Sequence, residues 1–290
     1  MSQFVLIGIT GNVGRVAAQR LVSHGAKVRG IIRDQSKGAG LIEVGIEPAV
    51  AALDDAGTLT RAFEGADGVY VMTPTWFESP DMFAENVRAV AAIGQALRAT
   101  KPARVVLLSS LGARHPAGTG AIQKLHHMEE SFADIPGVVS VRAGSFMENY
   151  VGQIAQVRET GVFRSMLAPL DRAHPTVATR DIGELVAKIL TDWSSDARTI
   201  DFEGPRRYAP NDVAAAFAEV LGRPVRAEIL PPSEWTATYA RWGLTPRSAE
   251  AMAEMMAGFN SGLVAFDVPV EDTLHGPTSL ETVLADAASR

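Results

Sequence analysis

The sequence predicts an α/β fold: a doubly wound parallel sheet followed by a smaller, mostly helical C-terminal lobe. Three observations predict it. Apolar runs of strand length alternate with helical patterns up to about Tyr150. A glycine-rich turn joins the first strand to the first helix. Beyond Tyr150 the alternation gives way to helices carrying large apolar residues.

The first unit justifies itself locally. Phe4 to Ile7 reads as a buried strand, and Gly8, Gly11 and Gly14 follow it. The next segment is an amphipathic helix with Val16, Ala17, Leu21 and Val22 on its apolar face, and Val28 to Ile32 is a second strand. This is the opening of a Rossmann-type dinucleotide-binding fold. One glycine allows the sharp turn, a second lets backbone approach a pyrophosphate, and a third lets the helix pack on the sheet. The helix N-terminus then aims N–H groups and a partial positive charge at the phosphates. The spacing is Gly8-x-x-Gly11-x-x-Gly14, and any tight strand-to-helix turn could use it; strands on both sides carry the dinucleotide reading. Gly8, Thr10, Gly11, Asn12, Val13 and Gly14 are therefore candidate cofactor contacts. An acidic residue at the end of the second strand would favour NAD, and an Arg would meet the 2′-phosphate of NADP. Arg33 holds that place, Lys37 is close by, and Asp34 falls on the alternate side of the strand. The expected cofactor is NADPH/NADP+. The competing reading of Arg33 is a solvated strand end balanced by Asp34.

The remaining elements follow in order. Ala49 to Leu53 reads as a third strand, Gly57 to Phe63 as a short helix, and Gly68 to Met72 as a fourth strand ending at Thr73 and Pro74. Strand-end loops on this edge bind ligand in open α/β sheets, so Thr73 and Pro74 are expected near the cofactor. A long helix covers Met82 to Ala99, and Arg104 to Leu108 is a fifth strand ending in Ser109 and Ser110. A helix from Ile122 to Phe132 carries Lys124, His126, His127, Glu129 and Glu130, and Val138 to Val141 is a sixth strand. Later helices are expected at Val151 to Thr160, from Val177 through Leu190 with Thr179 or Asp181 as cap, and at Asn211 to Leu221, Trp235 to Trp242 and Ser248 to Phe259. The expected division is residues 1–150 as the Rossmann domain, with a further sheet strand near 198–203, and 151–290 mainly as the substrate-binding lobe. The stripe of Trp235, Trp242, Met252, Met255, Met256 and Phe259 reads as lobe core.

Composition narrows the function. The 290 residues are 47% hydrophobic, enough for a sizeable core. The net charge of −6 and the lack of any long basic cluster disfavour nucleic-acid binding. Cysteine is absent, which removes disulfides, thiolate catalysis and Cys-ligated metals and fits a reducing cytoplasm. No signal peptide, membrane span, internal repeat or metal site is expected. The expected partner is a small-molecule substrate, and the expected assembly a monomer or homodimer.

Several motifs together carry a more specific resemblance, running nearly end to end: Thr10-Gly-Asn-Val-Gly-Arg15, Val28-Arg-Gly-Ile-Ile-Arg33, Val71-Met-Thr-Pro74, Leu107-Leu-Ser-Ser-Leu-Gly112, Arg142-Ala-Gly-Ser-Phe-Met-Glu-Asn149, Arg180-Asp-Ile-Gly183 and Leu221-Gly-Arg-Pro224. The chain resembles NmrA-like proteins, a branch of the atypical short-chain dehydrogenase/reductase superfamily. The resemblance implies NADPH use and either reduction of quinones, azo compounds or conjugated carbonyls, or a non-catalytic role as an NADP(H)-binding redox sensor. Two departures stand out. Ala143 replaces a common Pro, and Ala52 stands where an acidic residue helps hold the adenine, with Asp54 and Asp55 just beyond, which leaves the adenine-edge residue open; Leu53 and Asp54 are counted among the candidate cofactor contacts.

The superfamily's usual Tyr-x-x-x-Lys proton-transfer pair is missing. The tyrosines are Tyr70, Tyr150, Tyr208 and Tyr239, and none has a Lys four residues on. The helix after the fifth strand offers alternatives. The resemblance places a ribose-binding His or Lys there, four residues before a Glu; His126 and Glu130 have that spacing and Lys124 is the other candidate. A His near the nicotinamide can also supply a proton near neutral pH. The competing reading is a solvated helix face. Ser109 and Ser110, and after the sixth strand Gly144, Phe146, Met147, Asn149 and Tyr150, are expected near the nicotinamide or substrate. The candidate catalytic residues are thus His126, Lys124 and Tyr150, and His126 is also counted among the cofactor contacts.

Overall fold

The computed structural model describes residues 1–192 and 196–289. The first half runs β1 (Gln3–Leu6), α1 (Asn12–Ser23), β2 (Lys27–Ile32), α2 (Ala39–Glu43), β3 (Ile46–Val50), α3 (Ala56–Phe63), β4 (Gly68–Val71), α4 (Met82–Thr100), β5 (Arg104–Ser110), α5 (Gln123–Ser131) and β6 (Val138–Ala143). The second half runs β7 (Ser145–Phe146), α6 (Ile154–Thr160), β8 (Val162–Ser165), β9 (Thr176–Val177), α7 (Thr179–Thr191), β10 (Thr199–Glu203), α8 (Pro210–Leu221), β11 (Arg226–Ile229), α9 (Trp235–Arg241), α10 (Pro246–Ser261), β12 (Leu274–His275) and α11 (Leu280–Ala288).

Eight of the strands form one parallel sheet in the order β12-β10-β6-β5-β4-β1-β2-β3. Both faces are covered, which is why the inner strands are continuous apolar runs rather than alternating ones. Phe4, Leu6, Val28 and Val141 pack under α1 and α7 on one face, and Val5, Val69, Val105 and Leu107 under α3, α4 and α5 on the other. The strand order reverses between β1 and β4, and a ligand crevice is expected at the carboxyl ends of those strands. Two apolar centres lie within the lobe, and a third, around Phe259 and Val264, joins it to Leu111, Ala113 and Ile122. Of the two within it, one joins Phe163, Val213, Phe217, Leu280 and Leu284. The other joins Leu230, Trp235, Tyr239 and Ala249, with Met252 and Met256 beside them.

Several elements differ from their sequence reading, each for a tertiary reason. The third strand runs Ile46–Val50, three residues earlier, because Ile46 fills the core while Asp55 caps α3, accepting from the N–H groups of Gly57 (2.8 Å) and Thr58 (3.1 Å). Neither Thr179 nor Asp181 caps α7. Glu148 does so from outside the helix, accepting from Thr179 N at 3.0 Å and Thr179 Oγ1 at 2.6 Å. Asp181 instead holds Thr278 through its N–H (2.9 Å) and hydroxyl (2.7 Å). The stretch between the helices expected at 151–160 and 177–190 contains β8, which pairs in parallel with β11. Trp242 leaves the apolar stripe and is 60% exposed.

Candidate functional site

The glycine turn has the geometry its spacing implies. Gly8 has φ +74°, and Gly11 N donates to Gly8 O at 2.9 Å. A Cβ on Gly14 would lie 2.3 Å from Gly8 O, so only glycine lets α1 seat this close to β1. Gly11 is different: its φ is −79°, it is exposed, and a Cβ would meet only Gly8 O at 3.3 Å. Neither its backbone conformation nor its packing demands a glycine as strictly as Gly14 does. No side chain caps α1 and its first turn holds no acid, so N–H groups at its N-terminus stand free for an anion. Thr10, Asn12 and Val13 complete this rim.

At the end of β2 the charges separate. Asp34 is committed to its own turn, accepting from Ser36 N at 2.9 Å, and those hydrogen bonds from Ser36 hold its carboxyl below the usual range. Arg33 and Lys37 are exposed, and among the described residues neither side chain has a hydrogen-bond or ion-pair partner, although the Lys37 N–H donates to Asp34 O at 3.1 Å and its charge also helps lower the Asp34 carboxyl. Leu53 is half-buried and Asp54 exposed in the turn leading to α3.

The strand ends next to β1 hold the nicotinamide-side candidates. Thr73 is buried with Oγ1 unpartnered, and Pro74 follows it. Ser109 and Ser110 are still within β5 and face opposite sides. Ser109 donates to Glu129 Oε1 at 2.5 Å, while Ser110 is half-buried without a side-chain partner. Gly144 is buried, and a Cβ there would lie 3.0 Å from the backbone of Pro175. Phe146 is half-buried in β7, opposite Val177.

The three catalytic candidates separate. Lys124 is 6% exposed; its Nζ donates to the carbonyls of Thr75 (3.2 Å) and Pro74 (3.3 Å) and lies 5.6 Å from the Trp76 ring centre. Burial pushes the ammonium down to about 8. His126 is half-buried and its Nδ1 lies 2.9 Å from the carbonyl of Ala113, which places the proton on Nδ1 and leaves Nε2 as the free ring nitrogen. It does not pair with Glu130, which is exposed. Tyr150 sits in the lobe's apolar cluster, edge-on to Phe163 at 5.8 Å, and burial pushes its hydroxyl up to about 12.

Sequence reasoning missed the groups that fix these side chains. Arg142 holds Glu129 through two hydrogen bonds, at 2.7 Å and 3.1 Å, and Asp267 at 2.8 Å. Arg114 pairs with Asp267 as well. Asn86 donates to the Lys124 carbonyl at 3.0 Å. No spacing rule reaches these partners, which come from distant parts of the chain. The lobe also closes on the site: Thr245 N donates to Phe77 O, Thr245 Oγ1 to Ser79 O, and Gly112 N to Ala265 O, each at 3.1 Å. A cleft of about 530 Å³ lies elsewhere, lined by Arg20 and His24 at the far end of α1 and by Glu184 and Lys188. Among the described residues no cluster of His, Cys, Asp and Glu is arranged to hold a metal, and no helix is long and apolar enough to cross a membrane.

A parallel sheet with this strand order, an uncapped helix behind a three-glycine turn, and an unpaired Arg at the end of β2 define a Rossmann-type dinucleotide-binding architecture. The chain belongs to the NmrA-like family, whose model matches residues 1–274. It is similar to the (4-alkanoyl-5-oxo-2,5-dihydrofuran-3-yl)methyl phosphate reductase of Streptomyces griseus, at 29% identity over 94% of this chain and 92% of that protein. It is also similar to the NAD(P)H azoreductase of Xenophilus azovorans, at 24% identity over 87% and 86%. A solved NADPH-dependent quinone oxidoreductase of Escherichia coli, in complex with NADPH, superposes with a TM-score of 0.81 at 20% identity, covering 98% of this chain and 99% of that one.

Proposed function

We infer that the protein is an NADPH-dependent reductase that passes hydride to a small conjugated acceptor such as a quinone, an azo compound or an unsaturated carbonyl. The observation that carries this is the pairing of a free helix N-terminus behind Gly11 with an unpartnered Arg33 at the end of β2. The first suits a pyrophosphate and the second a 2′-phosphate. The relatives' activities agree in kind: each is named for reduction of a conjugated small molecule or for use of a nicotinamide cofactor.

The residues divide the work. Gly8, Thr10, Gly11, Asn12, Val13 and Gly14 hold the pyrophosphate, Arg33 and Lys37 the 2′-phosphate, and Leu53 and Asp54 border the adenine. Thr73, Pro74, Ser109, Ser110, Gly144 and Phe146 line the nicotinamide side. When bound, the dinucleotide supplies the hydride. Lys124 has already spent two N–H bonds on the Pro74 and Thr75 carbonyls, which leaves its third to reach a ribose hydroxyl or the acceptor. An ammonium that titrates at about 8 gives up its proton readily near neutral pH. His126 presents Nε2 on the same helix. Tyr150, packed into the lobe, contributes shape rather than a proton. Residues 1–150 with β10 form the cofactor half, to which α7 and β12 also belong, and the rest of 151–290 covers the acceptor. Positioning a flat acceptor against the cofactor supplies much of the acceleration.

The test is oxidation of NADPH, with NADH alongside, against a panel of quinones, azo dyes and enones. Acceptor-dependent oxidation that prefers NADPH is expected; tight NADPH binding without turnover on any acceptor would sink the reading.

A further inference from the structure

A second group of polar side chains lies beside the site and has no part in holding the cofactor. Arg172, His174 and Thr176 lie on the run that enters β9. That strand pairs with β7, Ser145 opposite Thr176, so the run borders the carboxyl end of β6 next to Phe146. His174 is 6% exposed with Nε2 buried and unpartnered; Thr176 Oγ1 and Arg172 Nε are likewise buried without partners. Buried polar atoms are nearly always satisfied, so three orphans within five residues point to a missing partner.

The charge of that partner follows from the neighbours. Among the described residues Arg172 bonds no carboxylate; one terminal nitrogen donates to the carbonyls of Ala168 and, at 2.6 Å, Asn260. Arg207 arrives on the adjoining segment after β10, where Tyr208 and His174 form an isolated antiparallel bridge with backbone hydrogen bonds at 3.0 and 3.1 Å. Its Nε and Nη2 hold Glu203, among the described residues the one carboxylate bonded to this pair of guanidiniums, and its Nη1 has no partner among them. Burial, with Arg172 and Arg207 nearby, pushes His174 down to about 4, so the ring is neutral at pH 7 and has an N–H to donate. The His174 ring meets Phe259 edge-on at 6.1 Å. Phe259 shares an apolar cluster with Leu111, Ala113 and Ile122, and Ala113 is the residue that holds His126. The basic group and His126 therefore flank one apolar wall.

We propose that the acceptor carries an anionic oxygen group, of the phosphate or carboxylate type, held by Arg172, Arg207 and the His174 N–H, with its conjugated part directed toward His126. The proposal rests on the reductase reading and names its substrate class. Guanidinium donors suit such oxyanions, and charge-assisted bonds to them are stronger than neutral ones.

The experiment is calorimetric titration of the full chain, saturated with NADP+, using an enone phosphate ester and its free alcohol, with the same pair assayed for NADPH oxidation. The ester is expected to bind at least about tenfold more tightly than the alcohol, and Arg172→Met to cut that ratio to about threefold or less. Because Arg172 also ties Ala168 to Asn260, His174→Phe serves as a second variant, which removes the ring N–H without stranding a charge and is expected to lower the ratio at least about threefold. Equal affinity of ester and alcohol in the unmodified protein overturns the proposal. Inorganic phosphate binding as tightly as the ester overturns it too, because the site would then serve a free anion. Ester preference without NADPH oxidation upholds the subsite and fails the reductase reading; oxidation of NADPH by both compounds without preference does the reverse.

Discussion

Arg33 stands unpaired at the end of β2 while its neighbour Asp34 is bound into its own turn. That asymmetry makes a sharp residue-level expectation. Arg33→Ala should raise the NADPH dissociation constant by roughly 10- to 100-fold, the worth of one or two charge-assisted hydrogen bonds, and leave NADH within about twofold. Equal losses for both cofactors, measured by titration of intrinsic fluorescence, would refute it. Gly11 gives a complementary test. A Cβ there meets only one backbone oxygen, so Gly11→Val should keep its melting temperature within a few degrees yet lose both cofactors. A large drop in melting temperature would show that the glycine serves the fold instead. Lys124 adds a pH signature. Its ammonium titrates at about 8 in the folded protein, below its usual 10.5. A rate that needs the ammonium should therefore fall as pH rises through about 8. The unfolded chain keeps this proton up to about 10.5, so the stability contributed by this group rises between the two values and its burial cost is complete below about 8. Lys124→Met should accordingly lower turnover about 10²-fold or more, remove the alkaline limb of the pH–rate profile, and leave the melting temperature at pH 7 unchanged or higher. An unchanged alkaline limb in that variant would assign the titration to another group.

At the scale of elements, what the sequence shows depends on where each element finds its partners. The β1–α1–β2 unit is legible because strand, glycine turn, amphipathic face and Arg33 follow one another within the first 33 residues. The start of α7 is not, because its cap is Glu148, more than thirty residues upstream. Glu130 has the right spacing from His126, yet the structurally engaged acid is Glu129, which finds Ser109 and Arg142 across the sheet. Helix-face arithmetic sees only neighbours on the same helix. The β8–β11 pair was hidden for a related reason: two four-residue strands, remote in sequence, define each other only on meeting. Glu148 allows a test at this scale. Glu148→Ala removes the acceptor from Thr179 N and Oγ1, so it should destabilise by about 1–2 kcal/mol, as loss of an N-terminal cap does. Since α7 packs on α1 beneath the sheet, the loss should appear as a lower denaturant midpoint with an unchanged slope. An unchanged midpoint would mean that water replaces the carboxylate freely.

For the whole molecule, the decisive feature is the way one buried charge network joins three parts of the chain. Arg142 on β6 bonds Glu129 on α5 and Asp267 in the segment after α10, and Glu129 in turn receives the Ser109 hydroxyl at the end of β5. Sheet, helix and lobe are thereby held in one register at the carboxyl ends of β5 and β6. The Arg142 and Glu129 side chains are only 14% and 12% exposed, so the pair is shielded from water. A shielded pair adds little net stability over an apolar replacement, but breaking it strands a charge. Arg142→Met alone should therefore cost about 3–5 kcal/mol, leaving Glu129 buried and uncompensated. Changing Glu129→Gln in the same chain should recover much of that loss, because the stranded charge is gone. Recovery of stability need not restore function. With Asp267 released from Arg142, the segment that follows α10 loses one of its two ion pairs and keeps only that with Arg114. The double variant is thus expected to fold well, to bind NADPH through its untouched glycine turn, and to show a raised KM for the acceptor. Chemical denaturation and steady-state kinetics on the two single variants and the double variant separate these effects. Additive losses in stability would show that Arg142 and Glu129 act independently, and an unchanged KM would show that the lobe holds its place without them.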